Sequence, residues 1–326
     1  MVDVAADGLR RAAEAKGVPV PEFVDPDEHD VVLGGHRFHY LDWGKPDLRP
    51  AVFLHGHGLT AHTWDLVSLA LRSRLRCFTP DLRGHGDSEW SPVLDYRVET
   101  HAADAERFLR QVSVAPAVLV GMSLGGLIAL RAAAEAGDLV RALVIVDIGP
   151  SSAGKFRAAP DRAAPDRAGS DQGDGPRQPV NVFSAPVELE SVEEFVQHSL
   201  AFNPRRDPVL LRGSLLHNLR QLPNGRWTWK YDQRPLLRTR PENGENRDDG
   251  MSTTWPLTER VDCPVLVVRG GSSDILSRHG AADLAGRFRD GRWAEVPDAG
   301  HSVQGDNPAA FVSALQSFLA DIGVID

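Results

Sequence analysis

Six short apolar runs, interleaved with longer stretches of helical patterning, constrain this chain of 326 residues more than any other feature. The runs fall at 51–54, 75–79, 117–120, 139–146, 265–268 and 292–296, and the helical stretches at 64–73, 98–112, 124–136, 279–288 and 308–321. A strand buried on both faces reads as a continuous apolar run, whereas a half-exposed strand alternates. Such runs alternating with helices predict an α/β fold, with a mostly parallel central sheet covered by helices on both faces. Upstream, 30–33 and 37–43 flank Gly34-Gly35, a two-residue hairpin signal.

The rhythm fails once. Between Val146 and Val265 no clean strand and helix pair occurs, so 151–255 reads as an insertion. Its opening part, 151–180, holds the near-repeat from Arg157 to Ala168 and is too polar and too broken by Pro and Gly to build core, so a flexible loop is expected there. The remainder regains Leu, Phe and Trp and is expected to form a mostly helical cap. With 1–28 set aside as an N-terminal extension, the core comprises 29–150 and 256–326.

Composition narrows the function classes. The net charge is −9, yet 151–250 carries 15 basic against 14 acidic residues, so the acidity lies on the core. No basic stripe is available to follow a nucleic-acid backbone. Cys77 and Cys263 each sit in an apolar run and read as reduced structural thiols. No basic leader opens the chain and no stretch of ~18 apolar residues occurs, so a cytoplasmic protein without a membrane span is expected. A homodimer is compatible with the sequence, which does not fix the oligomeric state.

The chemistry concentrates at Gly121-Met122-Ser123-Leu124-Gly125, which follows an apolar run and opens a helical stretch. A serine on a sharp turn between strand and helix is exposed as a nucleophile. Its hydroxyl needs a base within hydrogen-bond reach, and the base needs an acid to orient it. The run 265–268 leads to Asp274, and the run 292–296 leads to His301. Loops at the C-terminal ends of parallel strands share one edge of the sheet, where ligands bind. Ser123, Asp274 and His301 are therefore the candidate triad. Asp147, at the end of the run 139–146, is the alternative acid and ranks second.

These segments, with His55-Gly56-His57-Gly58 and the stretch Pro80 to Ser88, together resemble the α/β-hydrolase superfamily. The similarity covers about 30–150 and 258–322. It implies the α/β-hydrolase fold and an oxyanion hole made by the backbone amides of His57 and Leu124. His57 departs from the Phe or small residue often found there. A serine at the elbow resembles esterases, lactonases and carbon-carbon hydrolases, whereas haloalkane dehalogenases and epoxide hydrolases carry Asp.

Plainer roles compete with these. Ser123 also suits a helix N-cap, and Asp274 a turn. His85 and His55 read as structural loop residues. The histidines 55, 57 and 62 suggest a metal site, but no carboxylate or thiol at useful spacing joins them, so no metal and no cofactor are expected. Met122, Phe202, Trp227 and Trp229 are candidates for the substrate pocket, although aromatics in a cap also pack its interior. The expectation is a serine-dependent hydrolase of a carboxylic ester of small to medium, fairly apolar character. Lactone or carbon-carbon hydrolysis is the alternative, and a ligand-binding receptor on the same fold the third reading.

Overall fold

The computed structural model describes residues 4–113, 116–152, 187–202, 206–237 and 251–326. Eleven strands form two sheets among them. The larger has the order β1-β2-β4-β3-β5-β6-β10-β11. Its strands are β1 (Asp27–Leu33), β2 (His36–Asp42), β3 (Arg49–Leu54), β4 (Leu75–Pro80), β5 (Ala117–Met122), β6 (Val140–Val146), β10 (Val265–Gly270) and β11 (Gly291–Val296). The pairs from β4 through β11 are parallel, and only β1 with β2 and β2 with β4 run antiparallel. Every residue of β5 and β10 is buried, which is why both read as unbroken apolar runs. At the edge hairpin Leu33 faces His36 across Gly34 and Gly35. Both glycines have positive φ, 56° and 84°, as a primed turn requires.

Helices cover both faces. Helices α3 (Val98–Phe108), α4 (Leu124–Glu135) and α9 (Arg278–Ala285) bury Phe108, Leu127, Ile128 and Leu284 in one apolar cluster. Helices α1 (Val4–Ala15), α2 (Asp65–Leu71) and α11 (Pro308–Asp321) bury Ala13, Val67, Leu71, Phe311 and Leu315 in the other. The N-terminal extension thus joins the core through Ala13 and Val18. Cys77 is buried and both cysteines are free thiols. No described helix is long and apolar enough to cross a membrane.

The segment between β6 and β10 is mostly helical among the described residues, as expected, and adds three short strands that the sequence pattern does not show. Beside α5 (Val192–Phe202), α6 (Pro208–Asn218) and the short α7 (Arg234–Leu237) and α8 (Met251–Thr254), it contains β7 (Glu188–Leu189), β8 (Leu219–Gln221) and β9 (Trp227–Trp229). These strands pair antiparallel in the order β7-β9-β8. The segment has its own apolar cluster of Val192, Phe195, Val196, Leu211, Leu215 and Leu219, with Trp227 and Trp229 packed against it. Asp207 caps α6 by accepting from the amides of Val209 and Leu210, with Pro208 in the first turn. Only the first two residues of the expected loop 151–180 lie within the described residues.

Polar contacts join this segment to loops at the C-terminal ends of three parallel strands. Thr60 Oγ1, after β3, donates to Asn218 Oδ1 at 3.1 Å. Lys230 Nζ meets Asp87 after β4 at 2.6 Å, and Arg206 meets Asp306 after β11 at 3.6 Å. Asp306 ends the four-residue α10 (Val303–Asp306).

Candidate active site

Ser123 stands between β5 and α4 with φ 54° and ψ −117°, a region in which a side chain is strained. The turn is tight because Gly121 lies against the backbone opposite. A Cβ there would come within 2.0 Å of the Gly125 carbonyl oxygen. The Ser123 amide donates to the Val146 carbonyl at 3.0 Å, tying the elbow to the end of β6.

His301, on the loop after β11, faces Ser123. Its Nε2 lies 3.1 Å from Ser123 Oγ, and its Nδ1 lies 2.8 Å from Asp147 Oδ2. A carboxylate only accepts, so the proton sits on Nδ1 and Nε2 is left to accept from the serine hydroxyl. Asp147 is fully buried while the His301 side chain is 30% exposed. Two further donors reach the carboxylate, the Gly270 amide at 3.0 Å and the Ser273 hydroxyl. Such donors compensate the buried charge and fix the plane in which it meets the imidazole.

The geometry around His301 favours the second-ranked candidate acid. Asp147, ranked second, occupies the position beside His301, and Asp274 is exposed on the loop after β10. Strands β6 and β10 are neighbours, so either could deliver an acid. The β10 loop turns Ser273 inward as a donor to Asp147 instead. Ser273 escaped the sequence reading, and its place directly before Asp274 was the available signal.

Leu124 is the first residue of α4, where an amide has no partner four residues back in its own helix. His57 follows Gly56, which lies against the elbow. A Cβ on Gly56 would meet Met122 Sδ at 2.6 Å and the Ser123 Cβ at 3.4 Å. His57 is surrounded by rings, with His85 and Tyr231 each 5.3 Å and 5.2 Å away in edge-on contact. Desolvation by these rings lowers the His57 imidazole, although the residue keeps a solvent-exposed side. Tyr231, from the insertion, also stacks on His85 and was not singled out from the sequence.

The other sequence candidates have plainer places. His55 Nε2 accepts from the Leu82 amide at 2.9 Å and its Nδ1 donates to the Gly56 carbonyl, so it pins two loops together. His85 Nδ1 donates to the Arg83 carbonyl at 3.0 Å. Met122 is 3% exposed and belongs to the apolar cluster beneath the sheet. Trp229 packs edge-on against Phe195 at 4.9 Å and also approaches Tyr231 at 5.9 Å. Trp227 lies against the same interior, and the side chain of Phe202 falls outside the described residues.

Fold and site together define a hydrolase with a serine elbow, and residues 50–308 match the family described as the alpha/beta hydrolase fold. The chain belongs to the α/β-hydrolase family. It is 33% identical over 314 residues to esterase Rv0045c of Mycobacterium tuberculosis, covering 95% of this chain and 94% of that one. The crystal structure of that esterase superposes with a TM-score of 0.73 over 98% of this chain. A 3-hydroxybutyrate-oligomer hydrolase of Cupriavidus necator is 31% identical over 294 residues, covering 87% of this chain and 94% of its own length.

Proposed function

We propose that this chain is a serine hydrolase that cleaves carboxylic esters of small to medium, fairly apolar character through an acyl-enzyme on Ser123. The observation that carries the reading is the continuous line of hydrogen bonds from Ser123 through His301 to Asp147. His301 Nε2 takes the hydroxyl proton as Oγ attacks the ester carbonyl, and Asp147 stabilises the imidazolium that forms. The amides of His57 and Leu124 hold the oxyanion. As the tetrahedral intermediate collapses, His301 returns its proton to the departing alkoxide, leaving Ser123 acylated. Water, deprotonated by the same imidazole, then attacks the acyl carbon, and Ser123 is restored with release of the acid.

The insertion is assigned the role of a roof. Support comes from its contacts with Thr60, Asp87 and Asp306 on three loops of the catalytic edge, and from Tyr231 lying against His57. A roof excludes water and limits the acyl group. That the similar proteins are named as an esterase and an oligomer hydrolase supports an ester bond as the target.

The test is labelling with a fluorophosphonate, followed by assay on nitrophenyl esters, lactones and diketones. Stoichiometric labelling lost in Ser123→Ala, with esters turned over fastest, is the expected result. Absence of labelling in the folded protein overturns the reading, and preference for lactones or diketones overturns its ester half.

A further inference from the structure

The loop that carries His57 continues into a short turn, Ala61–Trp64, and then into α2. Three potential ligands meet where this turn faces the insertion. His62 Nδ1 lies 2.9 Å from Asp65 Oδ2, three residues on. His217, in the last turn of α6, stacks on His62 with ring centroids 3.7 Å apart and planes inclined by 26°. One donor atom from each of His62, Asp65 and His217 lies within 4.8 Å of the others.

One observation sets this cluster apart from an ordinary ion pair. Asp65 is 6% exposed, and its second oxygen, Oδ1, is buried without a hydrogen-bond partner. A buried carboxylate oxygen left unsatisfied is costly, and native structures rarely tolerate one without a ligand or water. By contrast the cluster of His39, Asp81 and Asp87 is already spent, since Asp81 accepts from the amides of Ala61 and Asp87 and from His39.

We propose that His62, Asp65 and His217 form a binding site for a divalent transition-metal ion of the zinc type, clamping the insertion to the loop of the active site. Two imidazoles and one carboxylate are a donor set that zinc accepts, with water in the fourth position. Metal–ligand distances of roughly 2.1 Å place tetrahedral donors about 3.4 Å apart, so an ion entering the site draws the donors together and turns the stacked rings toward it. The ion replaces the proton shared by His62 and Asp65, and that proton is released. In sequence, histidines 55, 57 and 62 are set aside for want of a carboxylate; the structure pairs His62 with Asp65, three residues on, and brings the third ligand from 152 positions beyond Asp65 on a helix of the insertion. Bound metal would add to the Thr60–Asn218 hydrogen bond next to it and hold α6 down on the catalytic edge.

Tag-free protein titrated with Co2+, followed by competition with Zn2+, tests this independently of any esterase activity. One ion per chain with the visible absorption of four-coordinate cobalt is expected. His217→Ala should weaken binding by at least about tenfold, as loss of a ligand or its support typically does. His62→Gln, which keeps volume at the stack, should do the same. Fluorophosphonate labelling and the circular dichroism of both variants report whether they remain folded. Absence of binding by the parent protein, or affinity unchanged in the two folded variants, overturns the proposal.

Discussion

Ser123 and Asp147 follow the adjacent strands β5 and β6 and both adopt positive φ, 54° and 52°, although neither is glycine. The amide of the first is bonded to the last residue of β6, and the amide of the second to Val268 of β10. Neighbouring strand ends thus hold two strained residues in one frame, each turned toward His301.

Asp147→Asn should lower kcat on a nitrophenyl ester by about 10^3- to 10^4-fold, because an amide facing Nδ1 favours the wrong tautomer. Asp274→Asn should cost less than about tenfold. Steady-state rates of the two purified variants decide it, and the opposite ranking would return the acid to the β10 loop.

Strain at Ser123 makes a second expectation. Ser123→Ala and Ser123→Gly should both abolish turnover, but glycine relieves the positive φ while alanine does not. Relief of such strain is worth ~1–3 kcal/mol and is partly offset by glycine's extra freedom in the unfolded chain. The glycine variant should therefore be the more stable by roughly 1 kcal/mol in urea unfolding.

Acid should destabilise the fold through its buried imidazoles. His101 lies between His85 and Tyr96, its ring nitrogens have no hydrogen-bond partner, and burial with the Arg83 charge lowers it to about 3. A histidine depressed in the folded state binds its proton only on unfolding. Its contribution is complete above the unfolded value near 6.5 and is lost as pH falls toward the folded value. His101→Leu should flatten the plot of unfolding free energy between pH 4 and 6 by about 1.4 kcal/mol per pH unit, one proton's worth. An unchanged slope would mean that the ring is protonated inside the fold.

Arg83 and Asp104 form a paired, two-bond contact at 2.8 Å with side chains 6% and 5% exposed. Arg83→Met leaves the buried Asp104 carboxylate with only the partly exposed Arg107 at 3.3 Å and should cost ~3–5 kcal/mol, whereas adding Asp104→Leu should recover most of it. Urea denaturation of the single and double variants measures both. Equal losses would argue that the pair is net stabilising.

Strand runs and the elbow were legible because each is continuous in sequence and buried as a unit, as β5 and β10 illustrate. His301 was legible because its loop follows a strand end directly. Asp274 ranks first in sequence, but both acids end strands that are neighbours in the sheet, and the contact that favours Asp147, from His301 Nδ1, comes from a loop far along the chain. The strands of the insertion were missed because two or three residues are too few for a period of two. Trp227 and Trp229 flanking buried Thr228 are the trace of that alternation. Tyr231 and His217 gain their meaning only from residues far away in the chain.

The insertion keeps an apolar interior separate from the two clusters that bracket the main sheet, and the named contacts between the two bodies are mainly polar. A separate interior of this kind is expected to open as a foldon without disturbing the sheet. Amide protons in α5 and α6 are then set to exchange with solvent through a lower-energy event than those of β5 and β6. Exchanging the insertion for another should then leave the line from Ser123 through His301 to Asp147 aligned.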